Sequence, residues 1–220
     1  EMTSSLVGSE MCIRDRSARG RIISKFHEDK NGDIFIGTDD GGLFIYNPIK
    51  DKCHRYTIDK SNPNLNIHAI WSNDTYLWIG TYSKGLYRIN HKTKYVEHIP
   101  YFEKDGITNE SIYSIHEDLS GKIWIGTKTA IWTWTKKHGF IKEKELGYNS
   151  DIIAICEDLK GSIWFASLNK GILKYTPTTH NITHISKGSN GIKIPNEITS
   201  MSLHMDYLFI GTSGQGLIKY

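Results

Sequence analysis

A short apolar segment recurs five times along this 220-residue chain. It reads Ile34-Phe35-Ile36-Gly37-Thr38, Leu77-Trp78-Ile79-Gly80-Thr81, Ile123-Trp124-Ile125-Gly126-Thr127, Ile163-Trp164-Phe165-Ala166-Ser167 and Leu208-Phe209-Ile210-Gly211-Thr212. The small residue returns after 43, 46, 40 and 45 positions. A period of about 40–50 residues, made of short apolar runs and Gly-bearing turns, predicts the blades of a β-propeller. The repeat also orders the search for function. A residue found in every unit serves packing, whereas a residue found in one unit is free to serve a ligand.

Each unit reads as four strands. The first alternates: residues 22–27, 67–71, 112–116, 152–156 and 198–202. The second is the apolar run above. The third follows a Gly-bearing turn, at residues 43–46, 86–89, 131–134, 172–175 and 217–220. The fourth is more polar, at residues 52–56, 95–99, 140–143 and 181–185. β-Branched and aromatic residues with turn signals every ten or so positions argue for strands, and no stretch carries a helical period with caps. The expected fold is therefore all-β: four-stranded antiparallel blades, about five of them, over units 21–64, 65–108, 109–149, 150–196 and 197–220.

The second strand is apolar at consecutive positions, so both its faces should be buried. Trp78, Trp124 and Trp164 are expected between adjacent sheets, with Phe35 and Phe209 in equivalent places. Ala166 once replaces the recurrent Gly, and Ala rarely adopts positive φ. The position therefore demands smallness more than a special backbone angle. Glu28-Asp29 with Gly32, Glu117-Asp118 with Gly121, and Glu157-Asp158 with Gly161 suit tight turns between first and second strands.

A net charge of +3, with no basic cluster, argues against nucleic acid as a partner. No run of 18 apolar residues exists, so no segment is read as inserting into a membrane. The N-terminus stands apart. Residues 6–16, Leu-Val-Gly-Ser-Glu-Met-Cys-Ile-Arg-Asp-Arg, resemble the translation of a sequencing adapter, so residues 1–16 are read as a non-native tail and 17–220 as a partial propeller. The last unit stops after its third strand, which reads as truncation, with further blades expected in the same parent chain.

Glu117-Asp118-Leu119-Ser120-Gly121-Lys122-Ile123-Trp124-Ile125-Gly126-Thr127 and Gly41-Gly42-Leu43-Phe44-Ile45-Tyr46-Asn47-Pro48 resemble the two-component regulator propeller repeat. The resemblance covers about residues 21–220. It implies the periplasmic sensor region of a bacterial hybrid two-component system, in which such propellers precede a membrane helix and a histidine kinase. Many sensors of this kind respond to glycan fragments. The resemblance thus implies a non-catalytic sensing module with an oligosaccharide ligand. A propeller lyase or glycosidase and a protein-interaction scaffold are the competing readings.

Chemistry is sparse. The Glu-Asp pairs recur in three units and read as turns, not as an acid–base pair. Asp29-x-Asn31-x-Asp33 starts like a calcium loop but carries Ile34 and Asp40 where that loop needs Gly and Glu. Ten histidines show no metal spacing, and no nucleophile or phosphate-loop motif appears, so neither metal nor cofactor is expected. Trp132 and Trp134 lie in columns that are apolar in every unit and read as core. Weak enzymatic candidates are Glu103, Asp105 and Glu110. The better candidates depart from the repeat, in loops that open on one face of a propeller: Tyr82, Lys84, Tyr101, Asn109, Tyr148, Asn149 and Asn196. Rings there suit sugar faces, and amides and amines suit hydroxyls and carboxylates.

Overall fold

The computed structural model describes residues 22–99, 111–147, 150–185, 191, 193–205 and 207–220. Among the described residues, nineteen strands fall into five antiparallel sheets. Blade 1 holds β1 (Ile23–Glu28), β2 (Ile34–Thr38), β3 (Gly42–Asn47) and β4 (Lys52–Tyr56). Blade 2 holds β5 (Ile67–Ser72), β6 (Tyr76–Thr81), β7 (Leu86–Asn90) and β8 (Val96–Ile99). Blade 3 holds β9 (Ile112–Glu117), β10 (Ile123–Thr127), β11 (Ile131–Thr135) and β12 (Gly139–Lys142). Blade 4 holds β13 (Ile152–Glu157), β14 (Ile163–Ser167), β15 (Gly171–Thr176) and β16 (Asn181–Ile185). Blade 5 holds β17 (Ile198–His204), β18 (Tyr207–Thr212) and β19 (Gly216–Lys219). Strand order within each sheet follows the chain.

The chain divides into two compact units, one ending at Ser111 and one spanning Ile112–Tyr220. In the first unit, blade 1 packs on blade 2 through β1 and β2 against β5. Phe35, Leu43, Ile67, Ile79 and Tyr87 are buried in that junction. In the second unit, β13 packs on β9 and β10, and β17 packs on β13 and β14. Trp124, Ile152 and Phe165 fill the first of these seams, and Trp164, Ile198 and Ile210 the second.

In blades 2, 3 and 4 the second strands are buried on both faces, as their composition requires: β10 and β14 are buried at every position. Trp78, Trp124 and Trp164 are interior, at 0%, 1% and 5% exposure. Phe35 is buried too, but Phe209 is only half-buried, contrary to expectation. Among the described residues the fifth sheet makes its main contacts with another blade through β17, on β13 and β14. Trp132 is buried as read, and Trp134 only half so. One short 3-10 helix, η1 (Lys144–Leu146), was not foreseen. It seats Leu146 in the blade 3–4 seam and ends at Gly147, whose φ of 60° lies in the left-handed region.

Smallness at the recurrent Gly is confirmed by geometry. A Cβ on Gly126 would lie 2.6 Å from both Cγ2 and the carbonyl oxygen of Ile152, the first residue of the next blade's β13, and against the Ser114 hydroxyl. A Cβ on Gly37 would meet Ile67 Cγ2 at 2.8 Å. In blade 4, Ala166 pairs with Ala154, where blade 3 pairs Gly126 with Ser114. Ala is admitted where the facing side chain loses its hydroxyl. That hydroxyl has a use: Ser114 Oγ donates to the Ile152 carbonyl at 2.7 Å, joining blade 3 to blade 4.

The carboxylates of the predicted turns carry more than the turn. Asp118 Oδ1 accepts the amides of Ser120 and Lys122, and its Oδ2 accepts the Trp124 Nε1–H at 2.7 Å. Asp158 repeats the pattern on Lys160, Ser162 and Trp164. Each Asp thus fixes both the turn and the blade's tryptophan.

His27 ties blade 1 to blade 2. Its Nε2 accepts the Ser72 amide N–H at 3.0 Å, with the Ser72 hydroxyl 2.8 Å away and the Trp71 ring alongside. An accepting Nε2 carries no proton. Burial pushes the imidazole below its ordinary range, Asp29 pulls the other way and Lys25 reinforces burial. His116, in the same column of blade 3, is shifted down by burial, with Asp118 opposing. The unfolded chain therefore binds more protons than the folded one just below the free histidine value. Stability should be full above about pH 6.5 and fall as pH drops toward the folded-state values. Thermal melting between pH 8 and 5 should show this loss, and His27→Gln should reduce it, leaving the share of His116. A melting temperature that rises on acidification through this window contradicts the assignment.

Candidate functional site

A β-bulge recurs at one place in all five blades, after the first residue of the first strand. The bulged residues are Ser24, His68, Tyr113, Ile153 and Thr199. Bulges re-aim a side chain, and here the backbone repeats while the side chain does not. A second column behaves alike. The residue after the second strand donates its amide to the chain just before the first strand: Asp39 to Ile22, Tyr82 to Asn66, Leu168 to Asp151 and Ser213 to Glu197. The frame is fixed, and the side chains it presents are Asp, Tyr, Leu and Ser.

In the first unit the two columns meet. His68 Nε2 lies 3.2 Å from Asp39 Oδ1, across from blade 2 to blade 1. An ionised carboxylate only accepts, so Nε2–H is the donor and the ring orientation is set. The His68 ring lies 5.6 Å from the Tyr82 ring at 34°. Tyr82 is 46% exposed, with His68 beside its ring. Asn66 closes the turn from below: its Oδ1 accepts the Asp40 amide at 2.7 Å. The adjacent Ser83 is held at φ 59° with its amide on Ser111 Oγ. An exposed aromatic face, a carboxylate and an oriented imidazole therefore sit on a braced backbone.

The other predicted residues fare differently. The Lys84 side chain is exposed, and its carbonyl accepts a hydrogen bond from His98 Nε2 at 2.7 Å, which ties the turn to β8. Asn196, in the second unit, is exposed, and its carbonyl accepts the amides of Gly171 and Ile198. The neighbouring Asn169 side chain contacts Ser150 Oγ, and Ser167 Oγ receives the amides of Asn169 and Lys170. This loop is occupied with its own bracing. Tyr101, Asn109, Tyr148 and Asn149 lie outside the described residues, as do Glu103, Asp105 and Glu110. His68 was missed in the sequence because its strand reads as a plain alternation. The signal that could have found it is the variation at the second position of an otherwise repeating strand. Among the described residues no group of three His, Cys, Asp or Glu side chains is placed to hold a metal, and no helix is long and apolar enough to cross a membrane.

No model of a protein family matches the chain, and no curated protein sequence matches it. Solved structures do. PorZ, a surface component of the type-IX secretion system of Porphyromonas gingivalis, superposes with a TM-score of 0.70 at 18% identity, over 90% of this chain and 32% of that one. The extracellular domain of the hybrid two-component system BT4673 from B. thetaiotaomicron gives 0.58 at 22%, over 92% and 32%. Virginiamycin B lyase from Staphylococcus aureus, in a catalytically inactive form with quinupristin, gives 0.68 at 16%, over 91% and 70%. The chain thus spans about a third of the length of the first two. Likeness at these identities shows the fold alone, all-β and of the propeller type, with five blade sheets among the described residues.

Proposed function

We propose that this chain is a ligand-sensing propeller module of a bacterial two-component receptor, working in the periplasm, recognising glycan fragments and catalysing no reaction itself. The observation that carries the reading is the open Tyr82 ring seated on the Asp39–His68 pair. A sugar presents C–H groups on one ring face and hydroxyls at its edge. Tyr82 offers a flat apolar surface to the first, Asp39 an acceptor to the second, and neither needs a bond to be broken. Likeness to the extracellular domain of a hybrid two-component system supports a sensing role.

A second reading is a propeller lyase, favoured by the likeness to virginiamycin B lyase and by the hydrogen-bonded His68–Asp39 pair, which could serve as a base. Calorimetry against a glycan-fragment panel, with mass spectrometry of the same mixtures, separates the two. Saturable binding with ligand recovered intact is the expected result. Turnover that is lost in His68→Ala would replace the sensor by the lyase, and neither binding nor turnover would overturn both.

A further inference from the structure

In the second unit the seam between blades 3 and 4 and the seam between blades 4 and 5 start from the same turn. Asp118-Leu119-Ser120-Gly121 and Asp158-Leu159-Lys160-Gly161 have matching bonds. Gly121 N–H donates to Asp118 O at 2.8 Å, and Gly161 N–H to Asp158 O at 2.9 Å. The Asp carboxylate takes the amide two residues on and the blade's tryptophan in both. Above both tryptophans lies a lysine ammonium: Lys122 at 4.2 Å from the Trp124 ring and Lys174 at 4.6 Å from Trp164.

The seams then diverge. In the first, Glu157 of β13 reaches back and its Oε2 accepts the Leu119 amide N–H at 2.8 Å. The residue in that register on β17 is Leu203, which has no acceptor to offer Leu159. Where the second seam meets its turn there is a cavity of about 410 Å³. Leu203, Leu208, Tyr220 and the Trp164 edge make its apolar wall, with Lys160 and Lys174 at its polar end. Among the lining side chains the one carboxylate, Asp158, is already bonded to Trp164 and paired with Lys174 at 3.2 Å.

We propose that this cavity binds an amphiphilic carboxylate, a medium-length alkyl acid. Its carboxylate takes the place that Glu157 holds in the neighbouring seam, on the Leu159 amide and beside Lys160. Its alkyl chain lies along Leu203, Leu208 and Tyr220. The volume falls within the usual range for small-molecule sites. The site belongs to the second unit and is independent of the Tyr82 cluster.

The test is titration of the purified 220-residue chain with octanoate and, separately, with octanamide, its uncharged counterpart. Octanoate should bind saturably, and octanamide at least tenfold more weakly. Leu203→Glu installs the carboxylate that blade 4 already carries and should weaken octanoate at least tenfold, with the melting temperature retained. Lys160→Ala should weaken it severalfold and keeps the test open if Leu203→Glu does not fold. No saturable octanoate binding, equal binding of octanamide, or unchanged affinity in a folded Leu203→Glu variant each overturns the proposal.

Discussion

Truncating Trp124 to Ala should destabilise the protein by roughly 3–5 kcal/mol, as large-to-small changes at fully buried aromatic positions do. Trp124 is 1% exposed and makes edge contacts with Phe165 at 5.5 Å and Tyr175 at 5.9 Å, both in the next blade. The loss is double. The seam gains a cavity, and Asp118 loses the donor on its Oδ2. Burial works to raise the Asp118 carboxyl, and bonds from Ser120, Trp124 and the turn amides outweigh it and hold it below its ordinary range. Removing one of these bonds should return part of the burial penalty. Trp134, half-buried one strand over, is the comparison: Trp134→Ala should shift the urea midpoint much less. Equal midpoints for the two variants would mean that the tryptophan column is not the seam.

Gly126→Ala should be costly for the addition of a single methyl group. The new Cβ would sit 2.6 Å from the Ile152 carbonyl oxygen, which is backbone and cannot rotate away, and against a Ser114 hydroxyl already bonded to that carbonyl. Overpacking of this kind destabilises by about 1–3 kcal/mol. Adding Ser114→Ala should recover part of it, because blade 4 already pairs Ala154 with Ala166. A double-mutant cycle by chemical denaturation measures the coupling. A Gly126→Ala variant as stable as the parent would show that the seam yields more than its geometry implies.

What could be read from the sequence was what the repeat averages. The strands Ile34–Thr38, Ile123–Thr127 and Ile163–Ser167 are legible because consecutive apolar residues have one reading in a stacked sheet. Demand for smallness at Gly126 was legible because one unit substitutes Ala. Features that depend on a neighbouring blade were not. The Ser114–Ile152 bond and the Glu157–Leu119 bond link residues 38 apart, and nothing local announces either. The 3-10 turn at Lys144–Leu146 is too short to show a period. Phe209 is only half-buried although it stands in the same column as Trp124, and its own strand does not announce the difference.

The candidate site was legible only in part, for the same reason. Tyr82 stands out because its column holds Asp, Leu and Ser in other blades. His68 and Asp39 join it only through the bulge that turns His68 toward blade 1. Lys84 contributes its carbonyl to a brace, which side-chain chemistry does not reveal.

The central claim is that ligand recognition resides in side chains that break the repeat. Its most direct measurement is the calorimetric Kd of a binding glycan for the parent, for Tyr82→Ala and for Tyr95→Ala. Tyr95 is exposed like Tyr82 but lies just before β8, on the outermost strand of its sheet. The account predicts at least tenfold weaker binding for Tyr82→Ala, about 1.4 kcal/mol, and parent affinity for Tyr95→Ala. Parent affinity in Tyr82→Ala, or an equal loss in both variants, would contradict it.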